Sequence, residues 1–158
     1  MKNQTDWTEW MGFGEEELMD IPKKRGVYQF RCVDQKGIPV PIQRLIGKDS
    51  GGIVYIGQCN DLHKRIKGFW VTIQEKDFSR HAAGWSYVSM NFYSIFPPNR
   101  LQFRYKTAKN PAAVERALIL YYLKEFMALP PLNFSRGTYP YNWKKQWTEV
   151  FGWPPLPA

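Results

Sequence analysis

Apolar and polar residues alternate in three short stretches of the chain, which is the pattern of strands with one buried face. Residues 26–33 place Tyr28 and Phe30 on one side, and residues 53–58 form the most apolar of the three stretches. Residues 101–106 alternate as a half-exposed strand. Turn-forming residues lie between the first two stretches, so we expect short strands that pair antiparallel in one sheet.

Two later segments have the apolar spacing and the start signals of helices. The first follows an Asn-Asp pair at 60–61, either of which can cap a helix that runs to about Phe69. The second starts at the Asn-Pro pair 110–111, where a capping residue precedes proline in the first helical position, and continues to about Phe126. This second helix is apolar on nearly every side, so we expect it to lie across the sheet as the central buried element.

The remaining segments fit around these elements. The N-terminal segment is predicted to form a short helix or turn. Residues 38–46 can form a further extended segment, and residues 81–93 could form a helix. The chain is long enough for one real core, and it contains no repeat or linker, so residues 1–158 are predicted to form a single domain. Strands followed by helices of this kind indicate an α+β fold with a mainly antiparallel sheet.

Composition and charge point to the class of partner. The formal net charge is +8 and aromatic residues make up 16% of the chain, which favours a polyanionic partner, first of all nucleic acid. Basic proteins that bind nothing anionic are the alternative. No apolar run approaches the ~20 residues that span a bilayer, and the polar start is unlike a secretory signal. Cys32 and Cys59 read as free thiols of a cytoplasmic protein.

Several side chains on these elements could form a site for a phosphate and a cation. Antiparallel pairing could bring Tyr28 and Tyr55 to one surface, where Gly57 would let a phosphate approach the backbone. Arg65 borders the buried stripe of its helix, and Glu115 is a carboxylate in the first turns of the next helix. Each residue also has a structural interpretation, since strand tyrosines usually pack and a glutamate near a helix start complements the helix dipole.

Five sequence elements then occur in a fixed order, and one further segment accompanies them. The five are Gly26-Val27-Tyr28, Tyr55-Ile56-Gly57, Arg65 within Asn60-Asp61-Leu62-His63-Lys64-Arg65-Ile66, Glu115 within Ala113-Val114-Glu115, and Asn133 within Pro131-Leu132-Asn133. Over about residues 26–133 the chain resembles the GIY-YIG nuclease family, and residues 80–85, Arg-His-Ala-Ala-Gly-Trp, resemble small stand-alone members. The flanking extensions are residues 1–25 and 134–158.

The resemblance implies a GIY-YIG-like fold, with a small three-stranded sheet flanked by helices, and a divalent-metal-dependent endonuclease that acts on nucleic acid, with DNA as the expected substrate. It implies that Glu115 holds Mg²⁺ or Mn²⁺ and that Arg65 clamps a phosphate oxygen. Tyr28 and Tyr55 would orient or deprotonate the attacking water, with Tyr55 favoured as the base. Asn133 would have a role at the same site.

The chain also departs from the family pattern. Tyr28 and Tyr55 are 27 residues apart, a longer gap than in many members, so residues 35–52 are predicted to be an inserted hairpin. Phe69 stands where many members carry His or Tyr, and His81 is the candidate to replace that polar group. The substrate-binding candidates besides Gly57 are the neighbouring cations Lys64 and Lys67.

Two other functions fit the same sequence. A non-catalytic module on this fold could bind single strands by stacking bases on exposed aromatic side chains. A protein-interaction domain could instead dock a partner or targeting subunit through the Trp- and Pro-rich ends of the chain. DNA and RNA remain alternatives as substrates, and the oligomeric state is open.

Overall fold

The computed structural model describes residues 7–76 and 81–134, and these residues form an α+β fold with a mainly antiparallel sheet, as predicted. The elements are β1 Met11–Gly12, α1 Glu15–Met19, β2 Gly26–Cys32, β3 Ile42–Gln43, β4 Lys48–Asp49, β5 Ile53–Cys59, α2 Leu62–Glu75, α3 Ala82–Ser89, β6 Leu101–Thr107 and α4 Pro111–Phe126. Two 3₁₀ turns, Phe92–Ser94 and Pro98–Arg100, connect α3 to β6.

The main sheet has the strand order β1-β6-β2-β5, and all of its pairs are antiparallel. The predicted three strands are present as β2, β5 and β6, but the expected count is wrong because β1 adds a fourth strand at the outer edge of β6. A strand of two residues is too short to show an alternating pattern in the sequence. β3 and β4 pair with each other as a separate hairpin inside residues 35–52.

The register of the sheet sets the positions of the two tyrosines. Between β2 and β5, Tyr28 lies opposite Gly57, and Phe30 lies opposite Tyr55. Tyr28 and Tyr55 are therefore diagonal neighbours on the same face of the sheet, within reach of each other. Their ring centroids are 5.9 Å apart.

This face of the sheet packs against α2 and α3. The core between them is aromatic, and the rings of Phe30 and Phe69 have centroids 4.2 Å apart. α2 continues to Glu75, beyond the predicted end near Phe69, because Thr72 and Ile73 are also buried in this contact. Tertiary packing thus extends the helix past the point where its sequence pattern weakens.

α4 has the predicted bounds and the predicted cap. The side chain of Asn110 accepts a hydrogen bond from the backbone N–H of Ala113 at 3.3 Å, and the buried face of the helix contacts β5 through Ile119. The expectation that α4 is the central buried element is wrong, since Tyr121 on this helix is 63% exposed. α4 covers β5 and leaves one face in solvent.

The hairpin of β3 and β4 is held to the rest of the fold by a buried carboxylate. Asp49 accepts hydrogen bonds from the backbone N–H groups of Gly51 and Ile53 at 2.8 and 2.9 Å. The hydroxyl of Tyr122 on α4 donates a third bond to it at 3.0 Å. These bonds compensate the cost of burying a charge. Within the two described ranges, no helix has both the length and the apolar composition needed to cross a membrane.

Candidate active site

Tyr28 lies at the centre of the candidate site, fully buried on β2. Its hydroxyl is 2.9 Å from Nε2 of His81, and the Nε–H of Arg65 donates to the same oxygen at 3.4 Å. Burial, and then the neighbouring Tyr55, raise the pKa of Tyr28 well above its ordinary value, although Arg65 acts in the opposite direction. Tyr28 is therefore a neutral phenol that is held by two other side chains.

His81 reaches Tyr28 from the start of α3. Its Nδ1 accepts a hydrogen bond from the backbone N–H of Gly84 at 3.3 Å, so the imidazole serves as the N-terminal cap of the helix. Burial, and then Arg65, lower the pKa of His81 well below its ordinary value, which leaves the ring neutral. Because Nδ1 is an acceptor, the single proton of the neutral ring is on Nε2, and Nε2–H donates to the Tyr28 oxygen.

The position of α3 depends on a close helix contact. A Cβ atom at Gly84 would lie 2.9 Å from Cβ of Thr72 on α2, so a side chain there would push the two helices apart. This contact places the start of α3, and with it His81, beside the tyrosines. The sequence suggested His81 as a substitute for the polar group missing at position 69, and the structure places it in hydrogen-bonding contact with Tyr28.

Phe69 itself is a core residue. It is fully buried, and its ring meets that of His81 edge to face with centroids 5.3 Å apart. The position at which the resemblance led us to expect a polar group is here part of the packing that supports His81.

Arg65 points from α2 toward the two tyrosines. Burial opposes its positive charge, but Tyr28 and Tyr55 outweigh burial, so the pKa of Arg65 is raised. The side chain is only partly buried. Arg65 is thus a fixed cation beside two phenols, as the sequence predicted, with donors left for a further oxygen ligand because a guanidinium carries five N–H groups.

Tyr55 borders a cavity of about 190 Å³ that also contacts Glu115, Asn133 and Ser86. Burial is the largest influence on the pKa of Tyr55 and raises it. The charge of Arg65 lowers this pKa, the Glu115 carboxylate raises it, and hydrogen bonds to Tyr28 and Arg65 lower it. The net result is a raised pKa. Tyr55 is therefore the tyrosine that meets both the open space and the carboxylate.

Glu115 lines this cavity from the second turn of α4, and it is 9% exposed. The expectation of a partly buried carboxylate near the tyrosines is thus consistent with the geometry. Among the described residues, no group of three or more His, Cys, Asp or Glu side chains is placed to share a metal ion. A metal ion bound at this cavity would therefore depend on Glu115 for its carboxylate ligand.

Asn133 has a structural contact that the sequence did not indicate. Its Oδ1 accepts from the backbone N–H of Ile56 at 2.9 Å, and its Nδ2–H donates to the Ile56 carbonyl at 2.8 Å. The amide thereby fixes the strand position next to Tyr55. Asn133 lies at the predicted site, and these bonds make it a positioning residue.

Gly57 is buried, and the space beside it is filled. A Cβ atom there would lie 2.6 Å from Cζ and the hydroxyl oxygen of Tyr28 and 2.6 Å from Cε1 of Tyr55. The glycine allows the two rings to approach the strand closely. The structure therefore gives it a packing role in place of the phosphate approach expected from the sequence.

Lys64 and Lys67 point away from this site. Both are exposed on α2, one residue before and two residues after Arg65, and neighbours at such spacing do not share a helix face. Lys67 borders a different cavity, with Glu15 and Trp70. The expectation that these two lysines bind substrate at the tyrosines is not consistent with their placement.

Two residues near the site were missed by sequence reasoning. Ser86 on α3 lines the cavity, and its hydroxyl donates to the Ala82 carbonyl at 3.1 Å. Arg116 follows Glu115 and is fully buried, although the helix pattern around it predicted apolar packing. A single serine or arginine in a helix carries no pattern that could have identified either one.

Trp10 and Trp70 make ring contacts with other side chains of the protein. The Trp10 ring lies 4.3 Å from the guanidinium of Arg31 and 4.5 Å from that of Arg104, measured to the ring centroid. Trp70 stacks on Phe13 with centroids 4.9 Å apart. These contacts disfavour the base-stacking alternative at these rings. The tryptophans expected to dock a partner, in the tail 134–158, lie outside the described residues.

Comparison of the chain with known proteins gives no relative: no protein-family model matches, and neither a curated protein nor a solved structure does.

Proposed function

We propose that this protein is a divalent-metal-dependent endonuclease of the GIY-YIG type that hydrolyses phosphodiester bonds in nucleic acid, with DNA as the expected substrate. The observation that carries the proposal is convergence. Tyr28, Tyr55, Arg65 and Glu115 come from β2, β5, α2 and α4, and Arg65 interacts with both tyrosines. Tyr55 also interacts with Glu115, and these two residues line one small cavity. A cation, two phenols and a carboxylate beside an open space are groups that phosphodiester hydrolysis can use.

The fold supports the family assignment within this proposal. The two triplets lie on adjacent antiparallel strands, with Tyr28 directly opposite Gly57. Each triplet thereby supplies a tyrosine to the same face, and Gly57 makes room for both rings. The glycine of one triplet thus makes room for the tyrosines of both triplets. Triplets that occurred by chance would not need to fit together in this way.

Arg65 is the phosphate-binding group in this proposal. Its contact with the Tyr28 hydroxyl fixes the side chain, and its partial exposure leaves other N–H donors for a non-bridging phosphate oxygen. A guanidinium placed in this way stabilises the charge that develops on the phosphate in the transition state.

The hydrogen-bond directions favour Tyr55 as the base. The Tyr28 oxygen accepts from His81 and from Arg65, so its own hydroxyl proton is available to the neighbouring Tyr55 oxygen. A phenolate at Tyr55 would then receive hydrogen bonds from Tyr28 and Arg65, which stabilise the charged form. Tyr28 keeps its proton, because burial raises its pKa well above the ordinary value.

In the proposed hydrolysis, water is the nucleophile. The oxygen of a water molecule bonds to phosphorus while the bond from phosphorus to the 3′ oxygen breaks. The Tyr55 phenolate takes the proton of the water, and the leaving 3′ oxygen takes a proton from solvent. The products are a 5′ phosphate and a 3′ hydroxyl.

The donor set fits Mg²⁺ or Mn²⁺. Mg²⁺ usually keeps several waters and binds through one or two carboxylates together with substrate phosphate, so Glu115 at an open cavity is sufficient on the protein side. The ion would supply positive charge that polarises the phosphate and favours loss of the Tyr55 proton. Glu115 would hold it, and Arg65 would hold the phosphate beside it.

The test is the variant Glu115→Gln, which keeps the shape of the side chain and removes its charge. Wild-type protein should nick supercoiled plasmid with Mg²⁺ or Mn²⁺, and the variant should lose about 10²–10³-fold in rate while it still binds DNA. Glu125→Gln is the control, since Glu125 is an exposed carboxylate on the same helix. Wild-type protein that binds DNA but cleaves neither DNA nor RNA with either metal would overturn the enzymatic proposal.

A further inference from the structure

A second, larger concavity lies at one end of the main sheet, where β2 begins and where β5 and β6 end. Its volume is about 820 Å³. The residues that line this cationic groove are Lys23, Lys24, Arg25, Asn60, Thr107, Ala108 and Lys109.

The groove is strongly positive. Four of its described lining residues are cations, all exposed, and none of the described lining residues is acidic. Asp61, which follows the lining residue Asn60, caps α2 by accepting the backbone N–H of Lys64 at 2.9 Å. Like charges gathered in a concave surface raise the local concentration of anions and favour a ligand with several negative charges.

Hydrogen bonds hold the cationic segments in place. The Lys24 carbonyl accepts the backbone N–H of Leu62 at 2.9 Å, and the Arg25 carbonyl accepts that of Ala108 at 3.2 Å. The Arg25 side chain also donates to the Lys109 carbonyl at 3.4 Å. The backbone of the groove is thus tied to the start of α2 and to the end of β6, so the groove is formed before a ligand binds.

The groove adjoins the candidate active site through three elements. Tyr28 is three residues beyond Arg25, about 10 Å along the strand from the groove. Arg65 is five residues beyond Asn60, about 7.5 Å at the rise of a helix. Glu115 follows Lys109 by six residues, through the first turns of α4. A strand of nucleic acid carries one phosphate per 3.4 Å of duplex axis, so such distances correspond to about two to three phosphates.

We propose that the cationic groove binds the sugar-phosphate backbone of the nucleic acid on one side of the bond that is cut at the tyrosines. The inference rests on the proposed function, since it assigns the substrate path of that site. Lys23, Lys24 and Lys109 neutralise phosphates as mobile point charges, and such contacts fix the position of the strand without reading its sequence. The groove thereby takes the role that the sequence suggested for Lys64 and Lys67.

The experiment compares two triple variants with the same charge change. The groove variant is Lys23→Gln/Lys24→Gln/Lys109→Gln, and the control is Lys36→Gln/Lys48→Gln/Lys76→Gln, three exposed lysines outside the groove. Binding to a fluorescein-labelled DNA duplex and to the matching single strand is measured without metal between about 50 and 200 mM salt. Thermal melting of each variant checks that it is folded.

The groove variant should bind about ten- to a hundredfold more weakly at low salt. The slope of log affinity against log salt should become shallower by about 2 to 3 on duplex, because each lost phosphate contact contributes about 0.9. The control should change the affinity by less than about threefold. Equal affinities of the two variants, whether both normal or both weakened, would overturn the groove proposal.

The outcomes separate this proposal from the proposed function. Selective loss of binding by the groove variant, in a protein that cleaves nothing with either metal, would support the groove and overturn the nuclease. Cleavage by wild-type protein together with normal binding by the groove variant would overturn the groove alone. Absence of any binding by wild-type protein at the lowest salt would overturn both.

Discussion

The two tyrosines share one face of the sheet but have different surroundings. Tyr28 is fully buried, and its hydroxyl contacts His81 and Arg65 inside the protein. Tyr55 is partly exposed and borders the cavity that Glu115 lines. Burial is the first cause of a raised pKa for both phenols, but only Tyr55 also has open space for a reactant. In the proposed reaction, this difference assigns the positioning role to Tyr28 and the reacting role to Tyr55.

The sharpest test of this division removes each hydroxyl in turn. Tyr55→Phe should lower the single-turnover nicking rate by about 10²–10⁴-fold, the usual contribution of a general base. Tyr28→Phe keeps the buried ring and should lower the rate by about tenfold, since the hydroxyl acts through Tyr55. A larger loss for Tyr28→Phe than for Tyr55→Phe would reverse the assignment of the base.

Gly57 lies beside the rings of both tyrosines, so a methyl group at this position should disturb the packing of Tyr28 and Tyr55. In Gly57→Ala the new Cβ would lie 2.6 Å from Tyr28 and Tyr55 atoms. Overpacking of this kind should lower the free energy of unfolding by about 1–3 kcal/mol, measured by urea denaturation. Gly12→Ala is the matched strand control, because nothing lies within 4 Å of the Cβ position at Gly12. Similar stability of the two variants would show that the rings can move aside.

His81 contacts the buried Tyr28 and also caps α3, and two substitutions separate these two roles. His81→Asn can still cap α3, whereas His81→Ala cannot, so the alanine variant should be about 1 kcal/mol less stable than the asparagine variant. Both lose the bond to Tyr28. Equal stabilities in urea denaturation would argue against the capping role.

The same residue predicts a dependence of stability on pH. Burial and Arg65 lower the pKa of His81 in the folded protein, so the unfolded chain binds a proton more readily below its ordinary pKa of about 6.5. The stability from neutral His81 is fully present above that pH and is lost as the pH falls. The melting temperature of wild-type protein should therefore fall more between about pH 7.5 and pH 5 than that of His81→Asn. Parallel decreases would contradict a buried neutral imidazole.

Local signals in the sequence were sufficient for most of the fold. The Asn-Pro pair at 110–111 predicted the start of α4, and Asn110 caps it as expected. Period-2 alternation predicted the long strands β2, β5 and β6. β1 was not predictable, since two residues form a strand only through their pairing with β6. The length of α2 likewise depends on buried contacts of Thr72 and Ile73 that no local pattern shows.

The residues of the candidate site that belong to the family-like motifs could be predicted from the sequence. Tyr28, Tyr55, Arg65 and Glu115 could be proposed because their order resembles a known family, and the structure brings them together. The amide contact of Asn133 with Ile56 could not, because it joins positions far apart in sequence. The cationic groove was missed for the same reason, since its lysines come from segments that meet only after folding.

The segment after α4 also has a consequence for solubility. β5 is an edge strand, and an open strand edge is a template for pairing with another chain. Here the Leu132 N–H donates to the Val54 carbonyl at 2.9 Å, and the Asn133 amide occupies both backbone groups of Ile56. The Asn133 side chain and the Leu132 N–H thus form hydrogen bonds that a neighbouring strand would otherwise form, without extending the sheet. The same bonds that steady Tyr55 therefore protect the molecule from joining its sheet to that of a neighbour.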